Sequence, residues 1–139
     1  MKIGIIGCTK TKAKQPCEAQ EMYSGSTLFN LKRQYAEKYL DDWMVLTTKY
    51  GLILKDKIIE PYELCLETHS QSESTSIMLM NKDHIRGWKA KVGSQILALN
   101  AVPVYLASKP YWIDLPRGET PLANKRFGSQ IKWLKDRII

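Results

Sequence analysis

Long hydrophobic runs are absent from this chain of 139 residues. Its longest apolar-leaning stretches, residues 1–8 and 102–107, are far shorter than the ~20 residues that a helix needs to cross a bilayer. The first stretch contains Gly4 and Gly7 in a strand-like pattern, and no cleavage-site pattern follows it as one would follow a secretory leader. We therefore predict that the protein has no membrane partner and is cytoplasmic.

Cysteine and histidine are scarce. The three cysteines are irregularly spaced and include no CxxC pair, which argues against a disulfide framework and a zinc site. No set of His, Asp and Glu has metal-ligand spacing, so we predict neither a metal nor another cofactor. The G-x-G-x-x-G dinucleotide fingerprint and the G-x-x-x-x-G-K-[ST] phosphate loop are also missing.

The composition is that of an ordinary globular domain with a basic balance. Apolar residues make up 44% of the chain and charged residues 25%, and the length fits one domain. The net charge is +7, and the segment 41–75 is locally acidic. Solvated helix faces explain this balance, and so does an anionic partner such as a nucleotide, a nucleic acid or a phosphorylated substrate. Composition leaves both explanations open.

Apolar periodicity predicts strands that alternate with helices. Buried strands are predicted at residues 2–7, 43–48 and 102–107. Helical spacing follows each of them, at residues 26–40, 85–99 and 127–138. This order predicts a single α/β domain over residues 1–139, a small three-layer sandwich with a mainly parallel sheet of three to four strands flanked by helices. The polar segment 68–76 is predicted to be a surface loop.

The residues that follow the predicted strands form the candidate site, because ligands bind at the carboxyl ends of parallel strands. Hydroxyls, lysines and glycines would converge at this edge of the sheet. The candidate ligand-binding residues are Cys8, Thr9, Lys10, Lys12, Tyr23, Ser24, Gly25, Tyr50, Gly51 and Tyr62.

Each part of this candidate site has two interpretations. Ser24 and Gly25 form a turn before a helix N-cap, or they help a helix N-terminus to hold a phosphate with Lys10 and Lys12. Cys8 is a small packed hydrophobe or a nucleophile. In the functional interpretation, the tyrosines stack on a base, which contributes ~1–3 kcal/mol per base.

The sequence leaves open whether the protein is an enzyme. If it is one, Glu60 or Glu21 is the general acid/base, or a nucleophile toward a sugar carbon, and Lys49 stabilises developing negative charge. The alternative is that the two acids only face the lysines of the basic loop.

The order of these motifs resembles a small family of bacterial and phage proteins of unknown function. The resemblance is carried by residues 7–12, 21–25, 48–53 and 59–62, and it continues to Gly128 and residues 131–134. This family is distantly similar to peroxide-stress YaaA-like proteins and to a uracil-DNA-glycosylase-like α/β module of enzymes that modify guanine-derived bases. The resemblance implies a nucleotide, nucleobase or nucleic-acid partner, and chemistry at a base or its N-glycosidic bond.

Three functions therefore follow as hypotheses. The first is a protein that binds or processes a nucleobase, a nucleotide or DNA, with a phosphate pocket at the carboxyl strand edge. The second is a non-catalytic DNA-binding protein that uses the basic helix at residues 82–91 and the basic C-terminus. The third is a bacterial or phage protein that senses a signalling nucleotide.

Overall fold

The computed structural model describes residues 1–66, 78–79 and 81–139. The predicted surface loop at 68–76 lies outside these residues. The strands are β1 (Lys2–Gly7), β2 (Cys17–Glu18), β3 (Asp42–Thr47), β4 (Gly51–Ile53), β5 (Ile58–Ile59), β6 (Leu64–Cys65), β7 (Met78–Leu79) and β8 (Val102–Leu106). The helices are α1 (Ala19–Met22), α2 (Thr27–Tyr39), α3 (Lys82–Ala98), α4 (Lys109–Trp112) and α5 (Phe127–Ile138).

A four-stranded sheet in the order β4-β3-β1-β8 forms the centre of the fold. Strand β1 pairs in parallel with β3 on one side and β8 on the other, so its nearly continuous apolar sequence is buried on both faces. Strand β4 joins the edge antiparallel to β3 through a tight turn, in which Gly51 has a φ of +74° that favours glycine. The predicted α/β class with a mainly parallel sheet is confirmed.

Helices cover both faces of this sheet. Helices α2 and α5 lie on one face, where the rings of Tyr35 and Trp133 are 5.2 Å apart. Helix α3 covers the other face, and its Trp88 indole donates a 2.8 Å hydrogen bond to the carbonyl of Thr47. No helix in the described part of the chain combines the length and the hydrophobicity that crossing a membrane requires.

Strands β1 and β8 approach each other very closely at their carboxyl ends. A Cβ atom added to Gly7 would lie 2.8 Å from the Cβ of Ala107, so this pair of positions requires a residue without a side chain. Cys8 and Ser108 follow directly and lie side by side at the edge of the sheet, where they line one cavity. The close approach therefore positions the first residues of the candidate site.

Candidate anion-binding site

A cavity of about 230 Å³ lies at the carboxyl edge of the parallel sheet. It is bounded by the strand ends, by α2, and by the first turns of α4 and α5. The lining residues are Gly7, Cys8, Thr9, Leu28, Lys32, Ala107, Ser108, Tyr111, Phe127 and Gln130. The position matches the one where open α/β sheets bind their ligands.

Lys32 is the most unusual residue of this cavity. Its relative exposure is 5%, and it forms no ion pair or hydrogen bond with any residue that the structure describes. Burial lowers its pKa from 10.5 to about 8, and the nearby Cys8 opposes this change. An uncompensated buried lysine is rare, and in a cavity it marks a candidate functional site.

Residues in the first turns of two helices line the same cavity. Leu28 in the first turn of α2 lines it, and Lys32 lies one turn further along the same helix face. Phe127 and Gln130 contribute the first turn of α5, whose N-cap residue, Arg126, makes no side-chain capping hydrogen bond. The first backbone N–H groups of a helix lack partners within the helix and carry partial positive charge. These groups and Lys32 together favour an anion.

Cys8 joins the cavity to a group of buried tyrosines. Its Sγ lies 3.7 Å from the Tyr111 hydroxyl, and Cys8 is also one of the groups that raise the pKa of Tyr62. The hydroxyls of Tyr62 and Tyr23 are 2.7 Å apart. Burial is the main cause that raises the pKa of both tyrosines far above the ordinary value, so both are neutral phenols.

The structure brings several predicted site residues together around Tyr62. The ring of Tyr50 meets the Tyr62 ring edge-on at 5.8 Å, and the Lys12 ammonium lies 4.7 Å from the centre of the Tyr62 ring. Lys49 lies over the ring of Tyr50, at 5.3 Å. The rings of Tyr23 and Tyr62 are buried, so neither presents an open face to a base.

The predicted acids lie outside the cavity. Glu60 is exposed, and its backbone N–H donates to the Tyr50 hydroxyl at 3.4 Å. Glu21 is exposed as well and lies 3.6 Å from Arg33 in an ion pair. Neither residue lines the cavity that contains Lys32. Their catalytic roles stay predictions.

The remaining predicted residues form the outer rim of the edge. The Thr9 hydroxyl donates to the carbonyl of Thr11, and Lys10 is exposed to solvent. Gly25 packs against Thr11, since an added Cβ would lie 3.0 Å from its methyl group. Ser24 closes the turn through a hydrogen bond to the carbonyl of Glu21. Gly51 lies in the β3–β4 turn, away from the cavity lining.

The turn before α2 follows the structural interpretation of its sequence. Ser26 is the N-cap, and its hydroxyl accepts a hydrogen bond from the backbone N–H of Phe29 at 3.2 Å. This cap fixes the start of the helix that carries Lys32.

The basic residues of α3 make contacts within the protein. Arg86 pairs with Asp83 at 3.4 Å, and Lys89 lies 3.9 Å from Asp114. The Lys91 ammonium donates to the carbonyl of Tyr50 at 3.5 Å. These three cations therefore already have partners within the protein.

Among the residues that the structure describes, no three His, Cys, Asp or Glu side chains lie close enough together to hold a metal ion. The cavity presents an ammonium, a thiol, hydroxyls and an amide, which are groups that bind and orient an anion.

Lys32 was not predicted as a site residue. Lysine in a helix is usually exposed, so its place one turn after Leu28 did not by itself indicate burial. The signal that was present is spacing, because Lys32 falls three residues after Phe29 and four before Ala36, two of the most buried positions of α2.

The fold and the cavity describe an α/β protein with a candidate anion site at the carboxyl edge of a mainly parallel sheet. The chain belongs to DUF6884, a family of unknown function whose model matches residues 3–136. A search of curated proteins found no match, and a search of solved structures found none either.

Proposed function

We propose that this protein binds a nucleotide or a sugar phosphate, with the phosphate group beside Lys32 in the cavity. The observation that carries the proposal is the burial of Lys32 without an acidic partner among the described residues, at the wall of a cavity. The resemblance of the strand-end motifs to nucleotide-related α/β proteins supports the same class of ligand.

The charge of the site explains why the ligand is an anion. Burying an ammonium without a partner is unfavourable, and a phosphate would supply the missing negative charge through charge-assisted hydrogen bonds. The N-terminus of α5, which has no side-chain cap, adds N–H donors, and both α2 and α5 add a positive dipole end. A cationic or neutral ligand would leave Lys32 uncompensated.

The size of the cavity limits which part of the ligand is enclosed. At about 230 Å³ it is smaller than the ~300–1,000 Å³ typical of pockets that enclose a whole drug-sized ligand. A phosphate and part of a sugar fit such a volume, whereas a base would remain outside. Phe127 lines the cavity with a side chain that is 63% exposed, so a base can stack on its ring.

The enzymatic form of this proposal is a reaction at a base or its N-glycosidic bond. In that form Glu60 or Glu21 moves a proton and Lys49 stabilises negative charge. The support for this step is the resemblance and the position of Lys49 beside Tyr50 at the same sheet edge. Phosphate binding by Lys32 does not depend on it.

A thermal-shift experiment tests the binding proposal. Inorganic phosphate, ribose 5-phosphate and adenosine 5′-monophosphate are each titrated at constant ionic strength. A ligand at 100 times its Kd stabilises the folded state by about 2.7 kcal/mol, which raises Tm by several degrees. We expect Lys32→Met to lose this shift and Lys57→Met, at an exposed lysine that does not line the cavity, to keep it.

Two further outcomes are decisive. Phe127→Ala should weaken binding of the nucleotide by about 5- to 150-fold, equivalent to ~1–3 kcal/mol of stacking, and leave inorganic phosphate unaffected. The proposal is wrong if no phosphate compound stabilises the wild-type protein, or if Lys32→Met responds as the wild-type protein does.

A further inference from the structure

We propose that Lys32 also acts as an amine nucleophile, forming an imine with the aldehyde carbon of a phosphorylated sugar held in the cavity. This inference rests on the proposed function, because it places a sugar phosphate in the same cavity. It adds a substrate class, the open-chain aldose phosphates, and a covalent role for Lys32.

The surroundings of Lys32 favour the neutral amine. No carboxylate among the described residues contacts it, and its side chain is almost completely removed from solvent. The helix N-termini at the cavity also disfavour a second positive charge. Its pKa of about 8 accordingly leaves a substantial neutral fraction at physiological pH. Lysines desolvated in this way are the ones that attack carbonyl carbons.

Groups from two different helices line the cavity, which suits a ligand with two functional groups. When the imine forms, the Lys32 ammonium no longer holds the phosphate, which is bound instead by the N–H donors at the first turn of α5, while the Lys32 amine lines the cavity from α2. An aldose phosphate carries its aldehyde at the other end of the chain from its phosphate. Burial of Lys32 also limits water, which would hydrolyse an imine at an exposed amine.

The chemical step is balanced without an oxidant or a reductant. The Nζ lone pair attacks the aldehyde carbon, and the carbonyl oxygen becomes the hydroxyl of a carbinolamine. That hydroxyl leaves as water when the C=N bond forms, and the amine nitrogen loses its two protons overall. Cys8 and Tyr111 line the same cavity with groups that can pass these protons.

Borohydride trapping tests the inference. The wild-type protein is incubated with ribose 5-phosphate at pH 7.5, reduced with sodium borohydride, digested and analysed by peptide mass spectrometry. We expect a reduced sugar-phosphate adduct on Lys32 that saturates with sugar concentration and forms at least ~10-fold faster than on the exposed Lys57, because a pKa lowered from 10.5 to about 8 leaves Lys32 with far more neutral amine at this pH.

Competition and variants separate specific labelling from surface glycation. Inorganic phosphate should suppress the adduct on Lys32 and leave labelling of Lys57 unchanged. Ribose without its phosphate should label Lys32 poorly. Lys32→Arg keeps the positive charge without an amine nucleophile, so it should lose the cavity adduct, whereas Lys57→Arg should retain it.

The outcomes also separate this inference from the proposed function. If ribose 5-phosphate raises Tm but borohydride leaves Lys32 unmodified, the imine is refuted and phosphate binding stands. If labelling of Lys32 is no faster than that of Lys57, or is unaffected by inorganic phosphate, the imine is refuted as well. If ribose 5-phosphate neither raises Tm nor labels Lys32, both proposals fail.

Discussion

Replacing Lys32 by methionine should make the protein more stable at neutral pH. The pKa of Lys32 falls from 10.5 to about 8 in the folded state, because burial disfavours the ammonium. At about 1.4 kcal/mol per pH unit, this difference corresponds to a penalty of about 3 kcal/mol below pH 8. Methionine is similarly long, forms helices well, and carries no charge to bury.

The sign of the pH dependence follows from the direction of the pKa change. Between about pH 8 and 10.5 the unfolded chain binds the proton that the folded protein has released, so the wild-type protein gains stability as pH rises. The advantage of Lys32→Met should therefore shrink from about 3 kcal/mol at pH 7 to about 1 kcal/mol at pH 9.5.

Urea unfolding followed by tryptophan fluorescence measures this difference at the two pH values, under reducing conditions. Comparison of the variant with the wild-type protein cancels the titration of other groups, including the tyrosines whose pKa burial raises. Lys10→Met should differ from the wild-type protein by less than about 0.5 kcal/mol at both pH values. The predicted stability penalty of the buried Lys32 ammonium is refuted if Lys32→Met is less stable than the wild-type protein at pH 7. It is also refuted if the difference in unfolding free energy between the two proteins does not change with pH.

Two further predictions concern the groups that hold the site. Gly7→Ala should lower the free energy of unfolding in urea by about 1–3 kcal/mol, since its Cβ would lie 2.8 Å from the Cβ of Ala107. Gly87→Ala, in open space on α3, should raise it by about 0.5–1 kcal/mol. Equal effects of the two changes would contradict the close approach of the strands. Tyr62→Phe should lower the free energy of unfolding by about 1–3 kcal/mol, because it leaves the buried Tyr23 hydroxyl without this hydrogen bond. The double variant with Tyr23→Phe should lose less stability than the two single variants added together. Additive losses would contradict the pairing of the two hydroxyls.

The long elements of the fold were predictable because their periodicity is strong. Strand β1 matches its predicted range of 2–7, and α5 matches 127–138. Strand β4 was not predicted, since three residues after a tight turn are too few to show a period. The two-residue strands pair β2 with β5 and β6 with β7, and such short pairings depend on tertiary contacts that the sequence does not display.

The candidate site was predictable in position but not in its central residue. Open α/β sheets bind their ligands at the carboxyl ends of the strands, so the site was predicted at that edge. Cys8 and Thr9 do line a cavity there. Lys32 could not be distinguished from a solvated lysine in the sequence. It lies beside residues of α5 and residues that follow β8, which are distant along the chain and come together with it only in the folded protein. Tyr23 and Tyr62 were predicted to stack on a base, but the core encloses their rings.

The stability cost of Lys32 connects the fold to the proposed function. An apolar side chain would remove the penalty of about 3 kcal/mol that the buried amine imposes at neutral pH. A phosphate compound at 100 times its Kd stabilises the folded protein by about 2.7 kcal/mol, which is nearly the same amount. At that concentration of ribose 5-phosphate the unfolding free energy of the wild-type protein should come close to that of Lys32→Met, and the variant should not respond. A lysine with a purely structural role would show no such convergence.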